Sequence, residues 1–331
     1  MKKNIYIFSS GELKRKQNTL FFEDSDGQTK YIPVEDTSEI LVFGEVDLNK
    51  RLLEFLSQKQ IILHFFNYYD YYVGSYYPRE HYNSGYMIVR QAEVYKNDEE
   101  RLTLAKGFIR GAAHNILKVL KYYDDRDVTL KDRIAKVDEL AESTQGAKTV
   151  AELMGMEGNI REVYYNSFDR IINNSDFKFE ARSKRPPLNY LNSMISFINT
   201  LVYTTVLSSI YQTHLDPRIG FLHTSNFRKF SLNLDIAEVF KPLLVDRLIF
   251  SLVNKGEIDK KSFDNSVGGI VFKENAMKKV VERFDEKLKT TVKHKDLGQD
   301  VTYKRLILME CYKIEKHLIG EKPYEPFMMW W

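Results

Sequence analysis

Cysteine is almost missing from this 331-residue sequence, with Cys311 standing alone. A single thiol excludes an internal disulfide framework and a thiolate zinc centre, which leaves histidine and carboxylates as the available metal ligands. Long apolar runs are missing as well, none approaching the ~20 residues that cross a bilayer. The opening MKKNIYIFSSGELKRKQ carries two lysines but only about five apolar or small residues before charge returns, too few for a secretory signal. These absences point to a cytoplasmic chain with no membrane partner. No internal repeat or low-complexity tract breaks the sequence.

An excess of one charge is lacking too, the formal net charge being +3. Residues 1–84 carry 10 Lys and Arg against 12 Asp and Glu, whereas residues 85–331 carry 39 against 34. The asymmetry directs any polyanion to the second part. Hydrophobic residues at 43% and charged residues at 29% exclude a disordered tail protein, and the length accommodates two domains. The unusual number is 21 Tyr beside 21 Phe, many crowded between Phe65 and Tyr77. That cluster has two readings, stacking on nucleobases or packing of a sheet and a dimer surface.

The first 80 or so residues read as short strands at Asn4–Phe8, Thr19–Phe22, Lys30–Val34 and Ile40–Phe43, separated by turn chemistry such as Asp24-Ser25-Asp26-Gly27. Leu48, Leu52, Leu53 and Leu56 have helical spacing, and strands return at Ile61–Phe66 and Tyr71–Tyr77. A polar stretch follows Pro78. From Met87 the period is helical, with further helices expected at about 130–142, 147–173, 188–212, 232–253, 274–290 and 301–319 and one short strand near Gly269–Phe272. The expected fold class is α+β in two domains: a β-rich N-terminal domain over 1–78, a hinge at 79–86, and an all-α domain over 87–331.

Three places combine metal-type ligands with glycine or proline. In Met154-Gly155-Met156-Glu157-Gly158-Asn159 a carboxylate is flanked by glycines, which allow close backbone approach. His223 ends the loop Asp216-Pro217-Arg218-Ile219-Gly220-Phe221-Leu222, between apolar and polar residues. Asp235 and Glu238, at i and i+3, share a helix face shortly before Lys241-Pro242. A helix ending at Pro242 would put these two carboxylates against the negative end of the dipole, which calls for a cation. One histidine and two or three carboxylates suit Mn²⁺ or Mg²⁺, and an ion so held activates phosphoryl transfer. Each group also has a plain reading, the glutamate as a solvated helix residue and the histidine as a core residue.

The runs Arg185-Pro186-Pro187, Asn192, Ser196-Phe197, Tyr203, Gly220-Phe221-Leu222-His223-Thr224, Ser231 to Pro242 and Val245-Asp246-Arg247 resemble the CRISPR-associated integrase family, the universal adaptation endonuclease of CRISPR loci. Met154 to Gly158 with Tyr164-Tyr165, Arg90-Gln91 with Tyr95 and Arg101, and Tyr324-Glu325-Pro326-Phe327 are similar to further motifs of that family, so the resemblance covers essentially the whole chain. It implies that Glu157, His223 and Glu238 bind the divalent ion, Mn²⁺ or Mg²⁺, with Asp235 as a second acidic position needed for activity. It also implies a phosphate-facing role for Lys241, supporting roles for Asn192 and Tyr203, and a loop or DNA contact for Arg185.

The implied reaction is attack by the 3′-hydroxyl of a short DNA fragment on a phosphodiester at a repeat boundary, and the reverse disintegration of branched DNA. The implied partners are DNA, a second copy joined through the β domain, and a small ferredoxin-like adaptation protein. The alternative is a catalytically silent DNA-binding scaffold of the same complex.

Overall fold

The computed structural model describes residues 2–69, 71–78, 82, 84–184, 186–225, 230–266, 269–294 and 297–330. Arg185 and part of the expected hinge lie outside these residues. The chain forms two compact units, Met1–His81 and Tyr82–Trp331.

The described residues of the first unit form eight strands and one helix. They are β1 (Lys3–Ile7), β2 (Gly11–Lys16), β3 (Thr19–Asp24), β4 (Thr29–Ile32), β5 (Thr37–Val42), β6 (Val46–Leu48), α1 (Lys50–Lys59), β7 (Ile62–Phe66) and β8 (Tyr72–Tyr76). One sheet runs β1-β5-β7-β8, its first three strands parallel and β8 antiparallel; the other runs β4-β3-β2-β6. Leu13, Leu20, Ile40, Leu52, Leu56, Ile61 and Leu63, all fully buried, form the core that the sheets and α1 enclose. Asn49 starts α1 by accepting a hydrogen bond from the Leu52 N–H at 3.0 Å, which satisfies one of the helix's free donors. Strands β2 and β6 escape the hydrophobic pattern. In GELKRK only Leu13 is buried, so charge masks the alternation, and β6 spans just three residues.

The second unit is built on helices α2 (Gly85–Lys96), α3 (Asp98–Asp124), α4 (Lys131–Ser143), α5 (Val150–Tyr165), α6 (Phe168–Ile171), α7 (Tyr190–Ile210), α8 (Leu232–Lys241), α9 (Arg247–Asn254), α10 (Glu274–Lys289) and α11 (Tyr303–Leu318). It is not all-α as expected. Two hairpins, β9 (Phe263–Ser266) with β10 (Gly269–Phe272) and β11 (Thr291–Lys293) with β12 (Asp300–Thr302), interrupt the helices. Strand β10 is the short strand expected near Gly269–Phe272, while β9, β11 and β12, of three or four residues each, carry too few alternations to register in the sequence.

Helix α7 is long and apolar enough to cross a membrane, which the sequence reading did not anticipate because Ser and Thr punctuate it. Of its most apolar window, 83% is buried inside the fold, which makes it the central helix of a packed core. Its hydroxyls bond back to its own carbonyls, Thr205 to Leu201 at 2.8 Å and Ser209 to Thr205 at 3.0 Å, so they enter the core satisfied.

The helix expected at about 232–253 is present and passes Pro242 without ending, so Asp235 and Glu238 do not stand at a helix terminus. Residues Pro242–Asp246 make a π-helical turn that joins α8 directly to α9. Proline lacks an N–H and crowds the preceding turn, and the wider turn absorbs both defects.

Candidate active site

Asp235 is fully buried and fully occupied. Its Oδ2 accepts the backbone N–H of Phe221 at 2.5 Å and of Leu222 at 3.0 Å, and its Oδ1 accepts the His223 N–H at 2.9 Å. The same Oδ1 lies 2.8 Å from His223 Nδ1. A carboxylate only accepts, so Nδ1 carries the proton and Nε2 presents its lone pair away from Asp235. The loop can lie this close because residue 220 is glycine. A Cβ there would stand 2.7 Å from Asp235 Oδ2 and 2.7 Å from the Ser231 carbonyl carbon, a backbone atom that cannot step aside. Burial pulls the His223 pKa down, but the Asp235 bond and charge, with Glu238 behind it, raise it above the ordinary histidine value.

One helical turn on, Glu238 is buried between two cations. It accepts hydrogen bonds from Lys241 Nζ on one oxygen and from Arg161 Nη2 on the other. Arg161 also reaches Glu157 through Nε, 3.0 Å from Oε1, so one guanidinium links both carboxylates. Burial opposes the Glu238 charge, yet Lys241, Arg161 and His223 together hold its carboxyl well below the usual range. Lys241 is raised in turn: Glu238 outweighs the burial of its ammonium. Lys241 Nζ also lies 5.0 Å from the centre of the Tyr203 ring, a cation–π distance.

Asn192 stands outside this cluster. It donates to the Ala181 carbonyl at 2.7 Å and accepts from Arg182 Nη1 at 2.9 Å, so it holds the strand of chain carrying Arg182 and Lys184. Asn189 caps α7 by accepting the Asn192 N–H at 2.8 Å. Gly155 and Gly158 are not required by packing. A Cβ on either would meet nothing within 4 Å, so the glycines leave the helix face beside Glu157 open.

The structure thus links Glu157 and Glu238 through Arg161, adds Lys241 through Glu238, pairs His223 with Asp235, and brings the two groups into electrostatic reach of each other. Arg161 was not singled out in the sequence, although Glu157 and Arg161 at i and i+4 on one helix face carry a visible ion-pair signal. Among the described residues no three His, Cys, Asp or Glu side chains stand close enough together to form a metal cluster. Arg161 and Lys241 hold the oxygens a cation would use. The donor types still fit a hard divalent ion: imidazole Nε2 of His223, the second oxygen of Glu157, and Glu238. Arg161 Nη1, buried and without a hydrogen-bond partner among the described residues, marks a polar space at this point.

Asp246, on the π turn, is buried beside Arg161 and Tyr164. Burial pushes its pKa up to about 7, against the opposing pull of Arg161 and Tyr164. A carboxyl raised from 3.8 in this way contributes stability that is complete below 3.8 and lost as pH climbs through about 7. Asp246→Asn is therefore expected to melt at a higher temperature than the unaltered protein at pH 8.5, and by a smaller margin near pH 5. The difference is of the order of 1–4 kcal/mol, and thermal denaturation at the two pH values measures it.

A family model described as CRISPR associated protein Cas1 matches residues 5–286. A CRISPR-associated endonuclease Cas1 of Thermodesulfovibrio yellowstonii is 56% identical over the whole of both chains. A solved Cas1 protein from Thermotoga maritima superposes with a TM-score of 0.88 at 48% identity, covering 98% of this chain and all of that one. A casposase bound to an integration product has the same fold, with a TM-score of 0.86 at 20% identity, covering 98% of this chain and 93% of that one.

Proposed function

Because the chain belongs to the CRISPR-associated Cas1 family and is an integrase and endonuclease of CRISPR adaptation, we propose that Glu157, His223 and Glu238 bind a divalent ion at which it joins DNA. The observation that carries this reading is the His223–Asp235 pair beside two carboxylates held by Arg161. Mg²⁺ or Mn²⁺ suits the one-nitrogen, two-carboxylate donor set, and when bound it supplies charge neutralisation of a phosphodiester and acidification of a hydroxyl. Asp235 is a positioning residue rather than a ligand, because its oxygens hold three backbone N–H groups and the imidazole of the 221–223 loop, whereas Glu238 is held by two mobile side-chain cations that an incoming ion can displace. Lys241, anchored on Glu238 and Tyr203, and Lys184, an exposed cation beside Arg182 and Lys241, neutralise phosphate oxygens at the rim.

The substrate is a duplex fragment ending in a 3′-hydroxyl, which attacks a phosphodiester at a repeat boundary; the P–O3′ bond of the repeat strand breaks, and the nucleotide on its 5′ side leaves with a new 3′-hydroxyl. Branched DNA is the substrate of the reverse step. The protein works in the cytoplasm, where the chromosome lies, as a homodimer paired through the first unit. Exposed Tyr68, Tyr69 and Val73 at β7–β8 suit that contact, and a small ferredoxin-like adaptation protein bridges such dimers.

A fragment with 3′-hydroxyl ends is expected to enter a repeat-bearing plasmid, and the same fragment with 3′-dideoxy ends is expected to give no product above background. Joining of the dideoxy fragment would refute the hydroxyl as nucleophile. Gel separation of labelled fragment from labelled plasmid reads both.

A further inference from the structure

Arg126, Arg247 and Lys287 come from three places in the chain, just past the end of α3, at the head of α9 and near the end of α10. All three lean on tyrosine. The guanidinium carbons of Arg126 and Arg247 stand 3.7 Å and 4.7 Å from the centre of the same Tyr122 ring, and Lys287 Nζ is 5.2 Å from the centre of the Tyr303 ring. Arg247 and Lys287 are half-buried, and among the described residues neither side chain makes an ion pair or a hydrogen bond. Arg126 donates only to the Tyr122 carbonyl, at 3.0 Å.

The more deeply buried cations of the joining centre are paired: Arg161 with Glu157 and Glu238, Lys241 with Glu238. Here the compensation is missing. Burial and then the charge of Arg247 pull the Lys287 pKa down to about 8, and no carboxylate opposes them. A tyrosine ring explains one cation resting on it. It does not explain two guanidiniums on one ring with a half-buried ammonium nearby, since like charges repel more strongly where water is excluded. An anion between them removes the repulsion.

This patch is separate from the joining centre. Asp246 faces Arg161 and Tyr164, whereas Arg247, the next residue, lies by Tyr122, Tyr123 and Tyr303. Three cations from three elements with flat rings between them suit successive phosphates of a chain rather than one small anion held at a point. We propose that Arg126, Arg247 and Lys287 form a second phosphate site that binds the nucleic-acid backbone away from the joining centre. The proposal rests on the DNA-joining reading above.

The test is the salt dependence of binding, by fluorescence anisotropy, of a 30-base-pair duplex to the full chain and to the double variant Arg247→Gln/Lys287→Gln. Each lost phosphate contact flattens the plot of log affinity against log salt by about 0.9, so the double variant should be flatter by about 1.8 and bind about tenfold or more weakly at low salt. Lys287→Arg, which keeps the charge, should retain the original slope and serves if the double variant does not fold. An unchanged slope in the double variant, or a slope as flat in Lys287→Arg as in Lys287→Gln, overturns the proposal. So does protection of Lys287 from amine-reactive labelling by inorganic phosphate but not by duplex. The joining reading is judged separately, on whether the unaltered protein joins 3′-hydroxyl ends at all.

Discussion

Asp235→Asn is expected to lower DNA joining about 100-fold or more while the chain still folds. The asparagine oxygen can serve two of the four groups that Asp235 now accepts, but its amide turns a donor toward the others. Two donors then face each other in a buried space, at a cost of about 1–3 kcal/mol for each unpaired group. The 221–223 loop shifts and His223 loses the partner that fixes its Nδ1 proton. A second readout separates positioning from general damage. His223 must be unprotonated at Nε2 to act as a ligand, and Asp235 raises its pKa, so joining should rise with pH through a value above the ordinary 6.5. In Asp235→Asn that rise should move to lower pH. A pH–rate profile of both proteins, taken below saturating DNA, provides the comparison, and an unmoved inflection counts against the pairing.

The second large effect is on stability. Arg161→Ala removes the one guanidinium shared by Glu157 and Glu238 and leaves Glu238 with Lys241 alone. Removing one partner of a buried ion pair costs about 3–5 kcal/mol, because the remaining charge stays desolvated. Urea denaturation at pH 7.5 should show a loss of that size. The effect should shrink in acid. A carboxyl held below its ordinary 4.5 contributes stability that is present above that value and is lost as pH falls through its depressed one. In the variant Glu238 protonates sooner, so the penalty of its unpaired charge fades first. If Arg161→Ala is as stable as the unaltered protein at pH 7.5, the guanidinium is not what holds these carboxylates together.

The β-rich start and helical remainder were legible because hydrophobic period changes near Met87, from about 2 to about 3.6. What escaped were elements whose pattern is short or overwritten by charge, β2, β6, β9 and the β11–β12 hairpin. The helical span through Pro242 was legible, but the π turn that compensates the proline has no sequence mark of its own. For the site, Glu157, His223, Asp235 and Glu238 could be picked out individually, but the division of labour could not. That Asp235 is saturated by three backbone N–H groups and an imidazole depends on how a loop folds over it, and only the Gly220 contact makes that fold possible. Arg161 was legible as an i, i+4 partner of Glu157, yet its reach to Glu238, 77 residues away, is a tertiary fact. The tyrosines divide between units: Tyr203 meets Lys241, while Tyr72 and Tyr76 bond within their own sheet and α1, at 2.7 Å to Ser75 and 2.7 Å to Ser57.

The central claim is that His223, positioned by Asp235, serves a divalent-metal centre for strand joining. It is tested most directly by single-turnover joining of a 3′-hydroxyl duplex into repeat DNA with Mn²⁺, comparing His223→Ala with the unaltered protein at matched DNA occupancy and with EDTA controls. The expected result is joining by the unaltered protein, abolished by EDTA, with His223→Ala reduced to the EDTA background while its melting temperature and DNA affinity persist. Joining by His223→Ala at the unaltered rate contradicts the account.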